Sequence, residues 1–470
     1  MRKAHRGALM NRPSSMRSFV AASSMRSLAR LWCGFAATLC AVVLLLGGCN
    51  GGNGVVTVAS TQASMRIVNL IPNANGPVDV TLNGSLLASG LTFESLPPYQ
   101  QIDAVTLSNP TSTIQAAVTG SVSSLLTTTI VPLGEGTYSY IMFGPVSQAM
   151  GQFVNDTVID SGAGNFNMRV INGAAGIGAI DVYLTAPGTD LSTVSPTTGG
   201  VAYGATTGFG TLPVGTLELR VTPAGTKTVI FDSLPRDFAE RGQFEFVVYS
   251  RESSTLVNVV LLNLDGSGTA GILDNLLAQF KVVNASLVGS PLNVFVNGNL
   301  LLSNIPYTGA SAYQKTIAAM PTLTVESTAT PGATLLSIQP SLTPGTDSSI
   351  VLEGPAGGLS ATILVDNNLP PGIGNTRVRF VNASVDVPLL DVFVDFSSQI
   401  SGLPKNSGAY SLELAADALA GTTYQFGFNV TGTTQTLLTL PAVTLLGGKT
   451  YTIYLTGPAA ALAGSVTQDN

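Results

Sequence analysis

The sequence predicts an all-β protein, built as four tandem immunoglobulin-like antiparallel β-sandwich domains. Three observations carry that expectation. A short motif recurs four times. Its spacing, 103, 112 and 98 residues between equivalent asparagines, is close to the length of one sandwich. Between the recurrences, β-branched and aromatic runs alternate with Gly, Pro, Asn and Ser turns, as in Leu217-Glu218-Leu219-Arg220-Val221-Thr222 before Pro223-Ala224-Gly225.

The motif is a basic residue, two apolar residues and Asn. It occurs as Arg66-Ile67-Val68-Asn69, Arg169-Val170-Ile171-Asn172, Lys281-Val282-Val283-Asn284 and Arg379-Phe380-Val381-Asn382. An Asp or Asn then opens a second strand: Asp79-Val80-Thr81-Leu82, Asp181-Val182-Tyr183-Leu184, Asn293-Val294-Phe295-Val296 and Asp391-Val392-Phe393-Val394. A late strand closes each unit, beginning near Tyr138, Phe244, Ser349 and Tyr451, and a Gly-Pro pair follows it at Gly144, Gly354 and Gly457 but not in the second unit. The repeats are thus expected over residues 63–161, 164–268, 276–368 and 374–470. The connecting stretches SGAGN (161–165) and DNNLPPGIGN (366–375) offer little apolar surface, which predicts mobile joints and an extended array. Helical periodicity is scarce, and its best candidate is Gly271–Gln279 in the second connection.

Rare residues exclude several chemistries. The only histidine is His5, the only tryptophan Trp32, and the cysteines are Cys33, Cys40 and Cys49. A chain cut before Cys49 keeps no His and one Cys, so internal disulfides, Cys/His zinc sites and imidazole catalysis drop out, and no cofactor or metal is expected. Seven of the 20 basic residues precede Leu31; beyond it thirteen face 26 acids, an acidic excess that makes nucleic acid an improbable partner.

The N-terminal segment has the outline of an export signal. Basic residues precede the uncharged run Leu31–Gly48, and Leu46-Gly47-Gly48-Cys49 resembles the lipobox of bacterial lipoproteins. That resemblance implies a signal peptide over residues 1–48, lipidation of Cys49 and a Gly/Ser/Thr tether over residues 49–62. With Asn50 next, it implies the outer membrane if the source has two membranes. An uncleaved transmembrane anchor is the alternative, because 18 residues approach the roughly 20 that span a bilayer. Met16 or Met25 could equally be the start.

Each recurring polar residue has a structural and a functional reading. Asn69, Asn172, Asn284 and Asn382 read as caps for the loop that leaves the strand. Asp79, Asp181 and Asp391 could be calcium ligands, but repeat three has Asn293, and a carboxylate accepting turn amides explains both residue types. Asp386 and Asp395 enrich repeat four, and Asp265-Gly266-Ser267-Gly268 is a partial calcium loop without its closing acid. Arg66, Arg169, Lys281 and Arg379 are expected at solvated strand ends, one per domain and therefore not convergent. Tyr138, Tyr140, Phe244, Phe246 and Tyr451 follow period-two spacing and read as core, with a carbohydrate platform the sharper reading.

The opening motif, a strand ending in Asn followed by Asp-Val-aromatic-apolar, is similar to the bacterial repeat family known as domain of unknown function 4397, over residues 63 to 470. The resemblance implies sandwich domains of envelope or secreted proteins and brings no catalytic residues. The expected function is a non-enzymatic envelope lipoprotein acting as an interaction or spacer array, with an envelope protein or glycan as partner. The alternative is an envelope glycan hydrolase using paired carboxylates. Cys49→Ala is expected to block maturation, and mass spectrometry to find an acylated N-terminal Cys49; an intact, unacylated N-terminal segment on the mature protein would support the transmembrane anchor instead.

Overall fold

A computed structural model describes residues 61–469, apart from 73, 75, 251–254, 319 and 407–409. The signal segment, Cys49 and nearly all of the tether lie outside the described residues. Ser60–Asn470 form one unit made of eight β-sheets, two to a repeat. Among the described residues no helix is long and apolar enough to cross a membrane.

Repeat one sets the plan. Its strands are β1 (Gln62–Leu70), β2 (Val78–Leu82), β3 (Ser85–Leu91), β4 (Gln100–Asp103), β5 (Ser112–Val118), β6 (Ser124–Ile130), β7 (Thr137–Phe143) and β8 (Met150–Asn155). They form a first sheet in the order β4-β1-β7-β8 and a second in the order β3-β2-β5-β6. Pairing is antiparallel except that β1 runs parallel to β7, with Arg66 opposite Ser139. Repeats three and four repeat this order. Repeat two adds Ala270–Leu273 as a fifth strand of its first sheet and has a longer loop after Ile180–Thr185. In every repeat the motif strand runs parallel to the late strand, pairing Arg169 with Glu245, Lys281 with Ser349 and Arg379 with Thr452.

Each repeat encloses its own core. Met65, Ile67, Val80 and Tyr140 pack in the first, Val170, Val182 and Phe246 in the second, Val282, Val294 and Ile350 in the third, and Phe380, Val392 and Ile453 in the fourth. The recurring aromatics lie in these cores: Tyr138 stacks on Phe153 with ring centres 4.7 Å apart, and Phe166, Phe238, Phe244 and Phe246 form a cluster. Buried inside, they offer no platform for a sugar.

The first sheets are buried on both faces, which explains why the motif strands are apolar at consecutive positions rather than alternating. On the face turned from its own core, Val68, Leu70, Ile141 and Phe143 of repeat one meet Ile171, Val247, Tyr249, Val260 and Leu262 of repeat two. Val283, Ala285, Val351 and Leu364 of repeat three meet Val381, Ala383 and Tyr454 of repeat four. The expectation of mobile joints at 161–165 and 366–375 is thereby corrected. Polar connections say nothing about the faces they join, and here the sheets, not the linkers, hold neighbours together.

The best candidate for helical periodicity, Gly271–Gln279, is strand and corner instead. Ala270–Leu273 extends the first sheet of repeat two, and Leu277–Leu287 begins repeat three. Nine residues are too few for a stable isolated helix, and two sheet edges offer each half a ladder of hydrogen bonds. Asn275 fastens the corner between them: its side-chain amide donates to the carbonyl of Val257 at 3.1 Å, and its Oδ1 accepts from the amides of Asp232 and Leu277.

The Gly-Pro pairs mark one turn. Gly144, Gly354 and Gly457 have φ of 88°, 96° and 90°, and each Pro leads into a short 3-10 turn, at Val146–Gln148, Ala356–Gly358 and Ala459–Ala461. A Cβ on Gly354 would stand 2.6 Å from the Gly358 carbonyl oxygen, so glycine is required there.

The four motif asparagines are buried and do the same work. In each, Oδ1 accepts from the amide two residues on (Ile71, Ala174, Ser286 and Ser384), closing an Asx turn. The side-chain amide donates to carbonyls of the following loop: Leu91 and Thr92 for Asn69, Gly178 and Val201 for Asn172, Ile305 for Asn284, Val387 and Leu403 for Asn382. Asn172→Ala would leave an amide and two carbonyls unsatisfied. It is expected to destabilise by about 3 kcal/mol, read as a lower urea midpoint at unchanged slope.

Candidate functional site

The four recurring basic residues are not at solvated strand ends. Arg66, Arg169, Lys281 and Arg379 are all at most 5% exposed, and they converge in pairs where first sheets face each other. The register that sets each beside Ser139, Glu245, Ser349 or Thr452 points it away from its own core. The neighbouring repeat covers that face, so a charge expected in water is enclosed.

Three of the four buried bases meet an acid of the neighbouring repeat, and Arg66 meets one within its own. In repeats three and four, Arg379 Nη1 donates to Asp366 Oδ1 at 2.5 Å, and Lys281 pairs with Asp469. Both bridges cross from one repeat to the other. Hydroxyls complete the network: Arg379 Nε donates to Thr452 Oγ1 at 2.9 Å, Thr452 donates to Asp469 Oδ2 at 2.6 Å, and Ser349 donates to Asp366 Oδ2 at 2.8 Å. Tyr313 donates to Asp366, and its ring lies 5.1 Å from Lys281 Nζ. Burial alone would lower the Lys281 ammonium, but Tyr454, Asp469 and Asp366 outweigh it and raise its pKa.

Repeats one and two use the same positions with one exchange. Arg169 Nη2 donates to Asp156 Oδ1 of repeat one at 2.6 Å, and Arg66 Nε donates to Ser139 Oγ at 2.7 Å, which passes to Asp156 Oδ2 at 2.5 Å. Asp156, Asp366 and Asp469 each follow the last strand of their repeat, and their amides donate to Thr137, Asp347 and Thr450. In repeat two that position is Leu264, whose amide donates to Gln243. The missing acid is replaced by Glu245, which bonds Arg169 from within the same repeat. Burial pushes the Glu245 carboxyl up to about 7 while Arg169 pulls it down. Arg66, deprived of an acid across the seam, donates to the Asn263 carbonyl at 3.4 Å and stands 3.8 Å from Asp156.

The recurring Asp residues hold turns. Asp79 Oδ1 accepts from the Gly90 amide and the Thr119 hydroxyl; Asp181 accepts from the amides of Gly200 and Gly225. Asn293 Oδ1 accepts from Asn304, and Asp391 from Gly402, Gly432, Ser401 and Thr431. Against a burial that would raise it, the Gly402 and Gly432 amides hold Asp391 below the usual carboxylate range. Asp386 accepts from the Ala459 amide and Asp395 from Gln425, while Asp265 accepts from Ser267 and Asn263. Among the described residues no three His, Cys, Asp or Glu side chains gather as a metal site.

One pair of acids was not singled out by its sequence. Glu218 and Asp232 sit on neighbouring strands of repeat two beside Arg220, which is 3.7 Å from Glu218. Burial, then a shared hydrogen bond and repulsion with Glu218, raises Asp232 to about 7. Glu218 Oε2 also accepts from the Gly188 amide at 2.8 Å, so a loop lies over the pair. Glu218 is buried and Asp232 half-buried. A cleft of about 400 Å³ opens beside Lys281, Tyr313 and Asp469, and a second of similar size lies between Leu287, Pro291, Pro306 and Tyr307.

The sequence profile of the family described as Domain of unknown function (DUF4397) matches residues 63–183 and 278–393, together half of the chain. Each stretch carries both basic residues of one seam. Among solved structures, the TIE protein of Bacillus anthracis is 9% identical, with 85% of this chain and 69% of that one covered at a TM-score of 0.13. A product complex of the multi-modular glycogen-degrading pneumococcal virulence factor SpuA is 10% identical, with 80% and 37% covered at 0.17. These scores are too low to relate the folds. No curated protein matches the chain.

Asp366→Asn would leave Arg379 enclosed without its counter-charge, and a loss of about 3–5 kcal/mol is expected in urea unfolding. Arg241→Met, which removes an exposed bridge to Asp160, is expected to leave the unfolding midpoint unchanged.

Proposed function

The chain belongs to the DUF4397 family, and from that premise we propose that it is a non-enzymatic, lipid-anchored cell-envelope protein whose tandem sandwiches form an interaction and spacer array. The observation that carries the reading is the exchange of buried charges between neighbours. The residues with the most chemical potential, four bases and their acids, are spent on assembly. What remains outward is the second sheet of each repeat and the loops, surfaces suited to contact rather than catalysis. Anchorage rests on the Leu46-Gly47-Gly48-Cys49 run and its basic leader.

The hydrolase alternative needs two carboxyls about 5–10 Å apart around a sugar bond. Glu218 and Asp232 have one raised pKa, as a general acid would, but Glu218 is buried beside Arg220 and accepts from the Gly188 amide, which favours a structural role. The test is incubation of the purified protein with envelope glycan preparations, following new reducing ends. None is expected. Release of reducing ends that disappears in both Glu218→Gln and Asp232→Asn would overturn the array reading.

A further inference from the structure

We propose that the outward sheet of repeat four binds a neutral hexose oligosaccharide in a shallow trough between Phe393 and Phe396. The inference deepens the array reading, on which it rests, by naming the class of ligand.

Comparison among the repeats locates the site. Repeats one and three close the hairpin after the Asp/Asn-Val strand with Asn83-Gly84 and Asn297-Gly298, both residues at positive φ, as a type I′ turn requires. Repeat four has Asp395-Phe396 in the same register, with φ of 46° and 67°. The cap is retained, since Asn83, Asn297 and Asp395 accept from the amides of Thr113, Thr322 and Gln425. The capping Asn has become Asp with its role kept, and the glycine has become a bulky residue that this conformation strains. The ring gains no burial in return, being 81% exposed.

A second departure lies beside it. Thr81 of repeat one pairs with Gln115, and Phe295 of repeat three with Thr324; in repeat four the partner of Phe393 is Gly427. The missing side chain opens a trough of about 200 Å³ lined by Phe393, Phe396, Gln425, Gly427, Asn429, Thr436 and Thr439. Phe426 and Phe428 point into the core, so Gln425, Gly427 and Asn429 face outward. The side chains of Gln425, Asn429, Thr436 and Thr439 make no hydrogen bond among the described residues.

Strain at Phe396 and lost packing at Gly427 fall on one trough, as in a site held for a ligand. The lining is aromatic, amide and hydroxyl, with no charged side chain. The C–H face of a pyranose stacks on the negative face of an aromatic ring, and amides and hydroxyls satisfy its hydroxyls and fix its orientation. An anionic ligand would find no counter-charge, and the neighbouring carboxylate, Asp395, is engaged by the Gln425 amide.

The test titrates full-length protein in detergent with maltohexaose, cellohexaose and chitohexaose by calorimetry, and compares Phe396→Gly and Gly427→Thr, the residues that other repeats carry. Binding of at least one probe is expected, at least tenfold weaker in both variants. Phe396→Gly is also expected to raise the melting temperature by relieving the turn. Failure of all three probes, unchanged affinity in Phe396→Gly, or a lower melting temperature in that variant overturns the proposal. Shortened probe recovered after titration would instead overturn the non-enzymatic reading and leave the site standing.

Discussion

Burial of charge between neighbouring sheets is the constraint on which the rest of this structure depends. An arginine or lysine in the middle of a strand cannot be enclosed at tolerable cost unless an acid is held against it and its remaining donors are satisfied. In repeats three and four, the base comes from the first strand of one repeat and the acid from the end of the last strand of the other. Neither repeat holds both members of either bridge across the seam, so neither is electrostatically complete alone. The apolar contacts around the bridges supply the attraction. The bridges supply the register, because sliding one sheet by a residue would oppose charge with hydrocarbon.

The two seams show how much variation that constraint tolerates. Repeat two places Leu264 where the other repeats place Asp, and a glutamate appears at the position that elsewhere holds Ser139, Ser349 or Thr452. The substitution keeps two acids against two bases but moves one bridge inside a repeat. Arg66 bears the consequence, with a long contact to a carbonyl and no hydrogen bond donated by its Nη2. Its guanidinium lies over the Tyr99 ring, 4.6 Å from the centre, and Arg169 lies similarly over Phe209.

Fold class was legible because it follows from local rules: the motif recurs at sandwich spacing, and turn residues punctuate the runs. The asparagine turns and the aspartate-held turns were legible for the same reason, since each acts on backbone within a few residues or on the adjacent hairpin. The pairing of repeats was not read, although its signal is present. Val68 and Leu70 follow Ile67 without the alternation of a half-exposed strand, as do Ile141 and Phe143. Runs apolar on both faces declare that both are covered, but not by what. The role of the bases was missed for a related reason. A lone charge ahead of an apolar run resembles a solvated strand end until a partner 13 or more residues away is known.

Pairing through the first sheets also decides where function can reside. It consumes one face of every repeat and leaves the second sheets outward, free of the charge code that the first must keep. Selection on those faces can therefore act on one repeat without disturbing a neighbour. Repeats one and three keep Asn-Gly turns and filled partner positions there, whereas repeat four alone combines a strained, exposed Phe396 with the bare Gly427. A chain that keeps its buried charges matched through an exchange of acids in repeat two, and lets its outer sheets vary from repeat to repeat, has separated the residues that assemble it from those left to recognise something else.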